Sequence, residues 1–105
     1  DGAIFLALHG GATLGWEREA VYDAWNVYRG DLQVLRATGI YTPLPGSDPV
    51  AQRFCDLVPA ELDDPYAPGA GVAAYYLVSG VAGGVESGLG EDGAGLPRSN
   101  LNPCP

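Results

Sequence analysis

The chain of 105 residues has no methionine, no lysine, a single histidine and only two cysteines. Each shortage removes a class of function. One histidine without a Cys-x-x-Cys pair cannot furnish the ligand set of a zinc site. Five arginines against thirteen Asp and Glu give a formal charge of -8, which repels phosphate backbones and anionic lipid, so nucleic acid is excluded as a partner. The apolar run Ala3 to Leu8 is, like every other in the chain, far shorter than the roughly 20 residues of a membrane-spanning helix, so no membrane insertion is expected. A general base at His9 would need a nucleophile and an orienting acid, and no serine, Ser79 and Ser87 included, sits in a recognisable catalytic elbow. His9 reads as a turn residue. No enzymatic activity, catalytic residue, cofactor or metal is expected. The missing methionine, with Asp1 at the start, fits a secreted polypeptide whose signal peptide has been removed, and so an extracellular or cell-surface location.

Sixteen Gly and nine Pro mark a chain rich in turns, yet 47% apolar residues argue for one globular core. The apolar runs are short. Ala3 to Leu8 and Thr13 to Trp16, separated by Gly10-Gly11, read as a hairpin. Ala24 to Arg29 reads as a central strand with Trp25 and Val27 on one face and Asn26 and Tyr28 on the other. Glu17 to Asp23 is too short for a stable helix and reads as a loop, whereas Asp31 to Arg36 fits either an edge strand or one helical turn. Three prolines between Thr38 and Pro49 make that stretch a connection. Ala51 to Val58 suits a short strand or turn, and Asp63-Asp64-Pro65 reopens the loop. Val72 to Val81 has the strongest strand composition, and Gly83-Gly84 turns it toward Val85 to Leu89 as a second hairpin. The expected core is Leu14, Trp16, Trp25, Val27, Tyr76 and Val78.

Cys55 and Cys104 are expected to pair, because a small secreted domain favours a disulfide; two free thiols in a reducing compartment are the alternative. The bond closes a loop of about 50 residues, for which chain entropy gives about 4 kcal/mol. It clasps a Gly- and Pro-rich tail, residues 91–105, onto a folded body of residues 1–90.

Leu14-x-Trp16, Trp25 to Arg29, Tyr75 to Val81 and Gly84 to Gly90 follow the order and spacing of a fibronectin type III domain, which this chain resembles from Ile4 to Gly90. It is more similar still to the divergent fibronectin type III-like modules of secreted bacterial proteins, through Asn26 to Leu32, Thr38 to Thr42, Arg53 to Cys55 and Asn102 to Pro105. Two departures are Trp25 where a tyrosine is usual and the long Pro-rich connection. The resemblance implies an all-β immunoglobulin-like sandwich of about seven strands with a non-catalytic extracellular role.

Other features have plain readings. Arg29-Gly30-Asp31 is the cell-adhesion tripeptide, but at a strand exit Gly supplies an unusual φ and Asp a side-chain turn. The acidic pairs Asp63-Asp64 and Glu91-Asp92 lack the alternating spacing of a calcium loop. Strand alternation turns at least one of Tyr75 and Tyr76, and one of Trp25 and Tyr28, to an outer face, and Tyr28 and Tyr75 are the candidates to stack there on polysaccharide. Ala3 to Leu8 is apolar on both faces, which an edge strand in water should not be; either Ala3, Ala7 and Phe5 point outward harmlessly, or another chain or domain covers the outer face, the favoured reading, with Ile4, Phe5, Leu6 and Leu8 as the candidate assembly surface. The expected function is a structural module, a spacer or self-assembling subunit of a filament or surface layer, in contact with its own copies or with neighbouring domains. A carbohydrate-binding or adhesion module appended to a secreted enzyme is the alternative.

Overall fold

β-branched and aromatic residues concentrate in two segments, and these become the two longest strands of the computed structural model, which describes residues 4–7 and 12–105. In chain order the elements are β1 (Ile4–Ala7), β2 (Ala12–Gly15), β3 (Ala24–Asp31), α1 (Leu32–Thr38), β4 (Gln52–Leu57), β5 (Glu61–Asp64), β6 (Ala74–Ala82) and β7 (Val85–Glu86). Leu8, His9 and the glycine pair Gly10-Gly11 lie outside the described residues. Among the described residues the molecule is mostly β, with one helix and two sheets. The larger sheet runs β1-β6-β3-β4 with β7 also on β6, and the smaller is the ribbon β2-β5.

Antiparallel β3 and β6 pair from Ala24↔Val81 to Asp31↔Ala74, and nearly every residue of both is buried. Alternation sorts them between two faces. Trp25, Val27, Tyr76 and Val78 pack against Leu14 and Leu62 of the ribbon, with Trp16 alongside, so the six expected core residues form one cluster. Tyr28, Tyr75 and Leu77 face the other way, under Leu32 and Leu35 of α1, Tyr41, Leu89 and Cys104. The larger sheet is thus a middle layer.

Several expectations change. The first two runs do not form a hairpin: β1 pairs with β6 while β2 pairs with β5, so the chain crosses from one sheet to the other between them. The acidic stretch is not purely loop, because Glu61–Asp64 alternates exposed and buried residues as β5. The hairpin at Gly83-Gly84 forms, but its second strand is only Val85–Glu86, and β1 completes that edge of β6. Asp31 to Arg36 resolves as helix. Asp31 Oδ1 accepts from the Gln33 amide at 2.8 Å, and Gly39 at φ 72° closes α1 with its amide on the Leu35 carbonyl.

Gly30 has ordinary strand backbone, and its role is to supply space. It pairs in register with Tyr75, whose ring lies where a Gly30 Cβ would project: such an atom would meet the phenol oxygen at 2.5 Å. With Tyr75 itself buried, the ring has nowhere to move. Gly30→Ala should therefore lower stability by about 2 kcal/mol, whereas Gly15→Ala, with no heavy atom near its Cβ, should stay within about 0.5 kcal/mol of the parent. Urea unfolding of the two variants checks the contrast.

Candidate functional site

Polar side chains collect in two clusters, one on each face of β3 and β6. On the ribbon side, Arg29 of β3 is 8% exposed and reaches across the layer. Its Nη1 donates to Asp64 Oδ2 of β5 at 2.9 Å, and its Nε to the Val50 carbonyl at 2.7 Å. The Tyr76 hydroxyl donates to the same Asp64 oxygen at 2.7 Å, and the Tyr66 amide to Oδ1 at 3.2 Å. The guanidinium lies 4.1 Å from the Tyr66 ring centroid and 5.8 Å from that of Phe54. Burial alone would push the Asp64 carboxyl up; hydrogen bonds from Arg29, Tyr76 and Tyr66 outweigh it and hold the carboxyl below its ordinary value. Burial, and then the bond to Asp64, raises the Tyr76 phenol.

On the helix side the centre is Glu86 of β7. Its Oε2 accepts from Asn26 Nδ2 at 2.9 Å, from the Tyr28 hydroxyl at 2.6 Å and from Ser79 Oγ. Its Oε1 accepts from Asn100 Nδ2 at 3.1 Å. Tyr28 passes the connection to the tail, because its hydroxyl oxygen accepts from the Cys104 amide at 2.9 Å. Burial, and then the bond to Glu86, raises the Tyr28 phenol. Two further anchors hold the tail. Asn102 donates through its amide to Thr42 Oγ1 at 3.0 Å and through Nδ2 to the Thr42 carbonyl at 2.7 Å, and Arg53 donates to the Pro103 carbonyl at 3.2 Å. Cys55 and Cys104 are bonded, so the expected clasp is present.

The expected polysaccharide-facing pair does not face solvent. Tyr28 and Tyr75 are each 1% exposed, because α1, the Pro-rich connection and the tail cover the face that a two-layer sandwich would leave open. The Tyr75 hydroxyl donates to the Tyr41 carbonyl at 2.8 Å, and burial followed by the nearby Asp48 charge raises its phenol. Arg29-Gly30-Asp31 is likewise consumed: Arg29 by Asp64, Gly30 by the Tyr75 ring and Asp31 by the helix cap. Of the acidic pairs, Asp64 is bound by Arg29, and Asp92 Oδ1 accepts from the Ala94 and Leu96 amides. Ile4, Phe5 and Leu6 lie on β1 at the edge of the larger sheet, while Leu8 is outside the described residues. An open groove of about 350 Å³ beside α1 is lined by Val34, Ile40, Pro43, Leu44 and Asp48 among others, and its surface is mainly apolar.

Glu86, Asn26, Asn100, Asp64 and Arg29 carry this polar architecture; from sequence, Arg29 enters only within the adhesion tripeptide and Asp64 only as a turn acid, and the other three are not singled out as site residues. The signals were present but faint: Asn26 shares a strand face with Tyr28, and Asp64 shares one with Leu62.

A carboxyl whose folded pKa lies below its unfolded one stabilises the fold at pH above the ordinary 3.8, and this contribution disappears as pH falls through the lowered folded value. Asp64→Ala should remove that acid dependence. It should also cost about 3–5 kcal/mol at neutral pH, because it leaves the Arg29 charge buried without its partner; urea unfolding across the acid range measures both. In ultraviolet titration, Tyr28, Tyr75 and Tyr76 should stay un-ionised through the ordinary range near 10.0 and ionise only above it or with unfolding. No family model, no curated protein and no solved structure matches this chain.

Proposed function

We propose that the chain is a non-catalytic structural module that contacts copies of itself, or a neighbouring domain of a parent protein, through β1. The observation carrying this reading is the position of β1. Among the described residues it pairs with β6 alone, which places it at an outer edge of the larger sheet, and its sequence Ile4-Phe5-Leu6-Ala7 has no polar residue. Unprotected apolar edges are what natural sheets avoid unless something pairs with them.

The opposite edge is different. β4 carries Arg53 and Asp56, a break in register opposite Trp25 and Val27, and the disulfide to the tail. Bulges and charges of this kind discourage strand addition, so the asymmetry favours β1 as the contact edge. The same reading takes the two sheets as halves of a fibronectin type III-like sandwich, with the β2-β5 ribbon as the smaller half and α1 and the tail as additions outside it. A disulfide suits a compartment outside the reducing cytoplasm, and no helix among the described residues is long and apolar enough to cross a membrane. Secretion to a surface filament or layer is the setting that fits these features and the charge of -8.

Phe5→Asp tests the proposal. Sedimentation velocity and negative-stain microscopy should show concentration-dependent assembly of the parent chain and monomers of the variant, with near-ultraviolet circular dichroism unchanged. A parent chain that stays monomeric at every concentration would overturn contact between copies.

A further inference from the structure

We propose that Ser79 and Asn26 join in an intramolecular ester between β6 and β3, with Glu86 carrying the proton. Asn26 and Ser79 are directly paired in register, which in an antiparallel ladder sets their Cβ atoms about 5 Å apart on one face. Both donate to a single atom, Glu86 Oε2. On its other side, Asn26 Oδ1 accepts from the Asp56 amide at 2.9 Å. Asp56 has a positive φ of 56°, where β4 slips register opposite β3, and its amide goes to this side chain. Ser79 is fully buried and Asn26 is 3% exposed.

These are the parts that acyl transfer requires: a hydroxyl on a base, a primary amide whose carbonyl is polarised by an N–H, and a leaving nitrogen beside the same carboxyl. Glu86 accepts the Ser79 proton as Oγ attacks Asn26 Cγ. The negative charge that develops on Oδ1 faces the Asp56 amide. Glu86 then returns the proton to Nδ2, the C–N bond breaks, and ammonia leaves. One Oγ–Cγ bond replaces one C–N bond, and no oxidant or co-reactant is consumed. Tyr28 and Asn100 hold the carboxylate in place, since each donates to it. Burial of Ser79 and Asn26 keeps water from the product.

Mass spectrometry of the intact, oxidised chain tests this directly. The expected mass is about 17 Da below that of the sequence with one disulfide, the loss of one ammonia. Trypsin cuts only after arginine here, so after reduction residues 19–29 and 54–98 should remain covalently joined and should separate on treatment with hydroxylamine. Ser79→Ala and Glu86→Gln should each restore the full mass. An unreduced mass in the parent chain would overturn the proposal, as would a loss of ammonia that survives Ser79→Ala.

Discussion

A strand pair that is apolar on both faces must be covered twice, and β3 with β6 imposes that requirement on the rest of the chain. Trp25, Val27, Tyr76 and Val78 point one way, while Tyr28, Tyr75 and Leu77 point the other. Each fully buried aromatic or aliphatic side chain is worth about 1.5–3 kcal/mol relative to exposure, so leaving either face in water would forfeit much of the available driving force. The first cover is a two-stranded ribbon, regular in register and built from short alternating segments. The second is irregular: one short helix, a Pro-rich connection and a tail whose backbone forms no ladder with the sheet. That difference explains where the polar chemistry lies. The ribbon side needs one buried ion pair to bridge the layers, and the helix side needs many side-chain bonds in place of a ladder.

Arg29 and Glu86 serve as counterparts on these two sides. Arg29 spends its donors on Asp64 and Val50 and stacks on Tyr66. A pair of this kind is weak evidence for net stability, because desolvation offsets much of the attraction. It does fix which edge of the ribbon lies over which part of the sheet. Glu86 gathers donors from β3, β6 and the tail, and so ties three parts of the chain to one carboxylate.

Much of the architecture was legible in the sequence where a single local signal decided it. The six core residues followed from alternation along strands with strong composition, and the disulfide followed from cysteine number. The hairpin at Gly83-Gly84 was visible, but the one expected at Gly10-Gly11 was not formed, because adjacent strands in sequence can enter different sheets and glycine spacing cannot distinguish the cases. Tyr28 and Tyr75 were misplaced for a related reason. Alternation correctly put them opposite Trp25 and Tyr76, but whether that side meets water depends on Leu32, Leu35 and Cys104 arriving from other parts of the chain. β5 was hidden because Asp63-Asp64-Pro65 has turn composition; only the Arg29 partner makes a buried Asp64 reasonable.

The clasp also governs how the domain would carry a pull. Cys104 sits on Cys55 at a sequence separation of 49, and β5, β6 and β7 all fall inside that closed ring. Tension arriving from the C-terminal end passes through the sulfur bridge into β4 and leaves the ring slack. The segment from β1 to β4 lies outside that ring, so the disulfide by itself does not limit its extension, whereas β5, β6 and β7 stay held in a covalent loop that cannot lengthen.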